Sequence, residues 1–84
     1  MKLSNPILKI LNKKYASLSL VEAKYKQIDL IFKTDESGHP VLLFLGKKDQ
    51  KGQIKGSRYS RQLKIGEDGR IIKDHWDLKG EATP

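Results

Sequence analysis

The sequence predicts an α+β chain that is mainly β: a short N-terminal helix followed by a four-stranded antiparallel meander or small barrel. Three observations predict it. Asn5-Pro6 opens a stretch with helical spacing, apolar residues recur at period two from Tyr25 onward, and clusters of Gly, Pro, Asp and Ser break up the remainder. The intervals between those clusters are too short for the crossovers that parallel strands require.

The helix is read over Asn5–Tyr15. Asn5 suits an N-cap, and Pro6 fits the first turn, where its missing N–H costs nothing. Ile7, Leu8, Ile10, Leu11 and Tyr15 share one face, with Lys9 and Lys13 on the other. So short a helix needs a sheet to dock on. Ser17–Ala23 carries two signals. Ser19-Leu20-Val21-Glu22 fits a capping box, whereas Leu18 and Leu20 alternating with serines fit a strand.

The first expected strand follows Tyr25, with Ile28, Leu30 and Phe32 set against Gln27, Asp29 and Lys33. Asp35-Glu36-Ser37-Gly38-His39-Pro40 is turn chemistry. Val41–Leu45, apolar on both faces, predicts a central strand or cover from the helix. Residues 47–52 read as a polar loop, 53–65 as the third strand and Arg70–Leu78 as the fourth. Residues 1–84 then form a single domain whose ends, 1–4 and 79–84, are expected to be flexible.

Asp68-Gly69 is a strong hairpin signal. As a two-residue turn it pairs Glu67 with Arg70 and fixes the register behind it. Tyr59 then faces Leu78, Arg61 faces Trp76, Leu63 faces Asp74 and Ile65 faces Ile72, all on one side of the pleat. Arg58, Ser60, Gln62 and Lys64 take the other side. Arg61 is the polar intruder on the apolar side. It is placed to stack on Trp76 and pair with Asp74, as a packing and register device or as an aromatic-plus-arginine platform for a base or an anion.

The net charge is +7, and it is concentrated. Between residues 47 and 64 stand Lys47, Lys48, Lys51, Lys55, Arg58, Arg61 and Lys64 against Asp49 alone. These cations are the expected phosphate contacts of a small, basic, non-enzymatic module that binds nucleic acid, with Tyr59 and Trp76 as candidate stacking residues. Two other readings stand beside it. The charge is a solubility device, or the chain is a structural or interaction domain that pairs a sheet edge with a second copy or an acidic protein.

Other classes find little support. The chain has no cysteine, which removes thiolate metal sites and points to a reducing, cytoplasmic setting. The longest apolar run, Val41–Leu45, is far below the roughly 20 residues of a membrane span, so no membrane partner is expected. Asp35, Glu36 and His39 read as a turn, and Asp74 and His75, adjacent on a strand, point to opposite faces. No catalytic residue, metal, cofactor or small-molecule substrate is therefore expected.

Overall fold

The structure, a computed structural model, describes residues 3–82. It holds one helix, α1 (Asn5–Leu11), and five strands: β1 (Leu20–Tyr25), β2 (Ile28–Thr34), β3 (Pro40–Lys48), β4 (Ile54–Ile65) and β5 (Ile71–Ala82). All neighbours are antiparallel, and the spatial order β1-β2-β3-β4-β5 is the chain order. The meander is thus an open sheet of five strands, where the sequence reading had four strands and allowed a barrel. The outer edges are β1 and β5, so the lysine-bearing strand at 54–65 is interior.

The additional strand is β1. Residues flanking it adopt left-handed backbone without being glycine, Leu18 at φ 48° and Lys26 at φ 55°. Its sequence therefore lacks the usual turn markers. Thr34 holds its start in place: the Thr34 hydroxyl donates to the Ala16 carbonyl at 2.7 Å and accepts the Ser19 N–H at 2.8 Å.

Helix α1 is shorter than its apolar pattern and is preceded by Ser4 as N-cap rather than Asn5. It ends at Leu11, and the chain then runs to the β2–β3 turn, where the Tyr15 N–H donates to the Gly38 carbonyl at 2.9 Å. The Tyr15 hydroxyl reaches back to the Ile10 carbonyl at 2.7 Å, fastening the segment to the helix end. Ile7 and Leu11 of the helix join Leu30, Phe32, Leu43, Leu45 and Tyr59 in one core, and Tyr15 meets the Phe32 ring edge-on. Five of those seven residues come from three adjacent strands, on positions that register places side by side.

The helix covers one face only. On the other, Ile31, Leu42 and Phe44 are half-buried, which explains why Val41–Leu45 reads as apolar throughout. At the β3–β4 end Gly46 lies opposite Gly56. A Cβ on either would fall 2.0 Å from a backbone oxygen across the ladder, so the strands close to a distance only glycine allows.

Strand β5 runs to Ala82, beyond the tail expected from residue 79, with Gly80, Glu81 and Ala82 paired to Arg58, Ser57 and Gly56. At the other end Leu3 packs against the core. The remaining expected flexible residues 1, 2, 83 and 84 lie outside the described chain. The β4–β5 turn also differs from the two-residue form. Gly66 donates to the Arg70 carbonyl at 2.8 Å and accepts the Gly69 N–H at 3.0 Å, and only Gly69 has positive φ, at 83°. This three-residue loop shifts the register by one, so Ile65 pairs with Ile71 rather than Ile72. A bulge between Lys64 and Ile65 shifts it back, and from Lys64–Lys73 to Tyr59–Leu78 the pairing is that of the sequence reading.

Candidate nucleic-acid interface

Strand parity divides the seven expected cations. Even-numbered positions of β4 face away from the helix, so Arg58 and Lys64 lie on the uncovered face, with Lys48 of β3. Lys47 and Lys55 stand opposite one another on the helix side, near the sheet end. Lys51 sits in the β3–β4 turn, where Asp49 Oδ1 accepts its N–H at 2.9 Å. The group does not converge on one spot.

Arg61 is a separate case. Its side chain is 3% exposed, and every one of its N–H donors has a partner inside the fold. Nε and Nη2 each meet Asp74 at 2.7 Å in a bidentate pair, and Nη2 also reaches the Asn12 Oδ1 at 3.1 Å. Nη1 donates to the Leu11 and Pro40 carbonyls, both at 3.2 Å. The guanidinium lies 5.4 Å from the Trp76 ring centroid. One side chain thus ties the C-terminal end of α1 to β3, β4 and β5. The hydrogen bonds from Arg61 hold the Asp74 carboxyl below its ordinary range, against partial burial, which acts in the opposite direction. With its donors used this way, Arg61 has none left for a phosphate.

The candidate stacking residues are also drawn inward. Tyr59 is 1% exposed in the core, and burial pushes its hydroxyl pKa up. Trp76 is half-buried beside Arg61, with its indole N–H turned into the protein. A ring that does lie on the uncovered face is Phe44. It stands between Ile31 on β2 and Arg58 on β4 in a row that ends at Gly80. Gly46 and Gly56 flank that pair on one side, Leu42 and Ser60 on the other. Arg58 is exposed, and its side chain makes no hydrogen bond or ion pair among the described residues. No sequence pattern singles out Phe44, because an unbroken apolar run has no period to assign its faces.

The same face adds cations outside the expected set: Lys33 opposite Leu42, and Lys73 directly opposite Lys64. Like charges placed opposite each other across a ladder are unfavourable. The acids of this face are already engaged. Glu22 bridges Lys48 at 3.1 Å, Asp29 accepts the Lys48 N–H at 2.9 Å, and Asp77 accepts from Gln62 at 3.2 Å and meets His75 at 2.6 Å. Lys33, Arg58, Lys64 and Lys73 are left to face solvent around a half-exposed apolar strip.

No helix among the described residues is long and apolar enough to cross a membrane. No family model, curated protein or solved structure matches this chain.

Proposed function

We propose that the uncovered sheet face binds single-stranded nucleic acid, laid along β4 with a base on Phe44 and phosphates on Arg58, Lys64 and Lys73. The observation that carries this reading is the Phe44–Arg58 pair: an aromatic ring and an uncommitted guanidinium opposite each other on the one face the helix leaves open. A base offers a flat π-face to such a ring whatever its identity, while the backbone follows the cations. The Lys64–Lys73 pair supports the same reading, because a phosphate between the two ammonium groups would relieve their repulsion. The side chains flanking Arg58 on its own strand face are small, Gly56 and Ser60, and leave room for a strand of nucleotides.

The test compares equal charge reversals on opposite faces. Affinity for a labelled single-stranded RNA is measured across a salt series for the native chain, for Arg58→Glu with Lys64→Glu, and for Lys47→Glu with Lys55→Glu. The uncovered-face variant should lose most of its binding, and the native salt slope should exceed the residual one by about 0.7 per lost contact. Equal losses in both variants would show attraction by net charge without a site, and retained binding in the first would refute the proposal.

A further inference from the structure

The two edges of the sheet are built differently. Strand β5 is interrupted twice. Arg58 and Tyr59 pair with Gly80 and Leu78, leaving Lys79 as an extra residue, and Lys64 and Ile65 pair with Lys73 and Ile71, leaving Ile72. Bulges and lysines are the usual means of preventing a foreign strand from adding to an edge. Strand β1 carries one lysine, Lys24, but neither bulge nor proline, and pairs with β2 in one unbroken register from Leu20–Lys33 to Tyr25–Ile28. Leu18, just before it, and Leu20, its first residue, are 74% and 62% exposed.

The hydrogen-bond phase of β1 identifies which groups its free edge presents. Ser19 accepts the Thr34 N–H at 3.0 Å, and Tyr25–Ile28 closes the hairpin. Antiparallel ladders alternate, so Ser19, Val21, Ala23 and Tyr25 turn their main-chain groups to β2. Leu20, Glu22 and Lys24 turn theirs outward.

We infer that a second copy of this chain pairs with that edge, β1 against β1, about a two-fold axis that sets Ala23 opposite Ala23. In this register Glu22 of each copy faces Lys24 of the other, the two residues exchange main-chain hydrogen bonds, and Val21 faces Tyr25. Moving the axis by one residue sets Glu22 against Glu22 in one direction and Lys24 against Lys24 in the other. Charge therefore selects one register out of three. Glu22 Oε1 already meets Lys48 within its own chain at 3.1 Å, and the Glu22 side chain stays more than half exposed, within reach of a partner's lysine. The axis runs through the sheet, so both uncovered faces look the same way and form one surface twice as wide. The inference rests on the edge alone and does not depend on the nucleic-acid reading.

Two measurements test it. Sedimentation equilibrium should show a monomer–dimer equilibrium that Glu22→Lys or Lys24→Glu alone weakens by roughly tenfold, because two symmetry-related pairs turn repulsive. The double exchange, Glu22→Lys with Lys24→Glu, should restore it, since opposite charges again face each other. A native chain that stays monomeric across the concentration range, or an exchange variant as weak as the single ones, would overturn the inference. The chain has no cysteine, so Ala23→Cys supplies the second readout. Directly opposed residues outside the hydrogen-bonded pairs lie about 4.5 Å apart at Cα, within disulfide range. Ala23→Cys should cross-link on oxidation and Val21→Cys should not. Equal cross-linking of both, or of neither, contradicts the register.

Discussion

Arg58 and Arg61 lie three residues apart on one strand and share almost nothing else. Arg61 faces the helix, is nearly inaccessible, and has Asp74, Asn12, Leu11 and Pro40 around its guanidinium. Arg58 faces the open side, is exposed, and stands opposite Phe44. A net-charge count treats them alike. Their difference follows from strand parity, which sends odd and even positions to opposite faces, and from what each face holds. An arginine in a core junction is a multi-pronged structural tie, whereas one on an uncovered sheet face keeps its donors for solvent or a ligand.

The sharpest way to break this comparison is to exchange the roles by mutation. Arg61→Ala leaves the Asp74 carboxylate and the Leu11 and Pro40 carbonyls without their partner. Breaking such a pair costs about 3–5 kcal/mol. A domain of this length has roughly 4–13 kcal/mol in all, so urea unfolding should show a variant close to collapse. Arg58→Ala should stay within about 0.5 kcal/mol of the native chain in the same assay. A similar loss from both would abolish the distinction.

Next in size is Gly46→Ala. Its Cβ would fall 2.0 Å from the Lys55 oxygen, and the strands must part to admit it. A loss of about 1–3 kcal/mol is expected, measured by thermal unfolding, and a native-like midpoint would show that the pinch is dispensable. Phe44→Leu sharpens the functional side. It keeps apolar volume on the open face, so stability should change by less than about 1.5 kcal/mol. Loss of the ring should cost about 1–3 kcal/mol of single-stranded RNA affinity. Unchanged affinity would remove Phe44 from the proposed interface.

The smallest expected effect is acid sensitivity. Asp74 titrates below its ordinary value of 3.8 when folded, chiefly through its hydrogen bonds to Arg61. Its contribution is complete above that ordinary value and is lost as pH falls toward the folded one. Unfolding midpoints between about pH 5 and pH 2 should therefore decline more steeply in the native chain than in Asp74→Asn. Equal slopes would mean that the carboxylate does not anchor Arg61.

Much of this division was legible in the residues. Asp68-Gly69 gave the correct β4–β5 pairing from Tyr59 to Lys64, and with it the placement of Arg61 beside Trp76 and Asp74, although the turn itself has three residues and a compensating bulge. Strand β1 was only half legible: Ser17–Ala23 fits a strand and a capping box alike, and Leu18 and Lys26 supply left-handed backbone that sequences usually mark with Gly or Asn. Phe44 was hidden because Val41–Leu45 is apolar at every position, and only the one-sided docking of α1 decides which of those residues stay uncovered. The spread of Lys47, Lys51 and Lys55 away from Arg58 depends on register across β3 and β4, which linear charge density does not contain.

The central claim is that these two arginines divide structure from binding. Arginine Nε–H resonances followed by nitrogen-edited NMR during titration with single-stranded RNA test it directly. The account predicts that the Arg58 signal shifts with saturation, while the Arg61 signal stays in place and exchanges slowly with solvent. Movement of the Arg61 signal, or a still Arg58 signal at saturation, would contradict it.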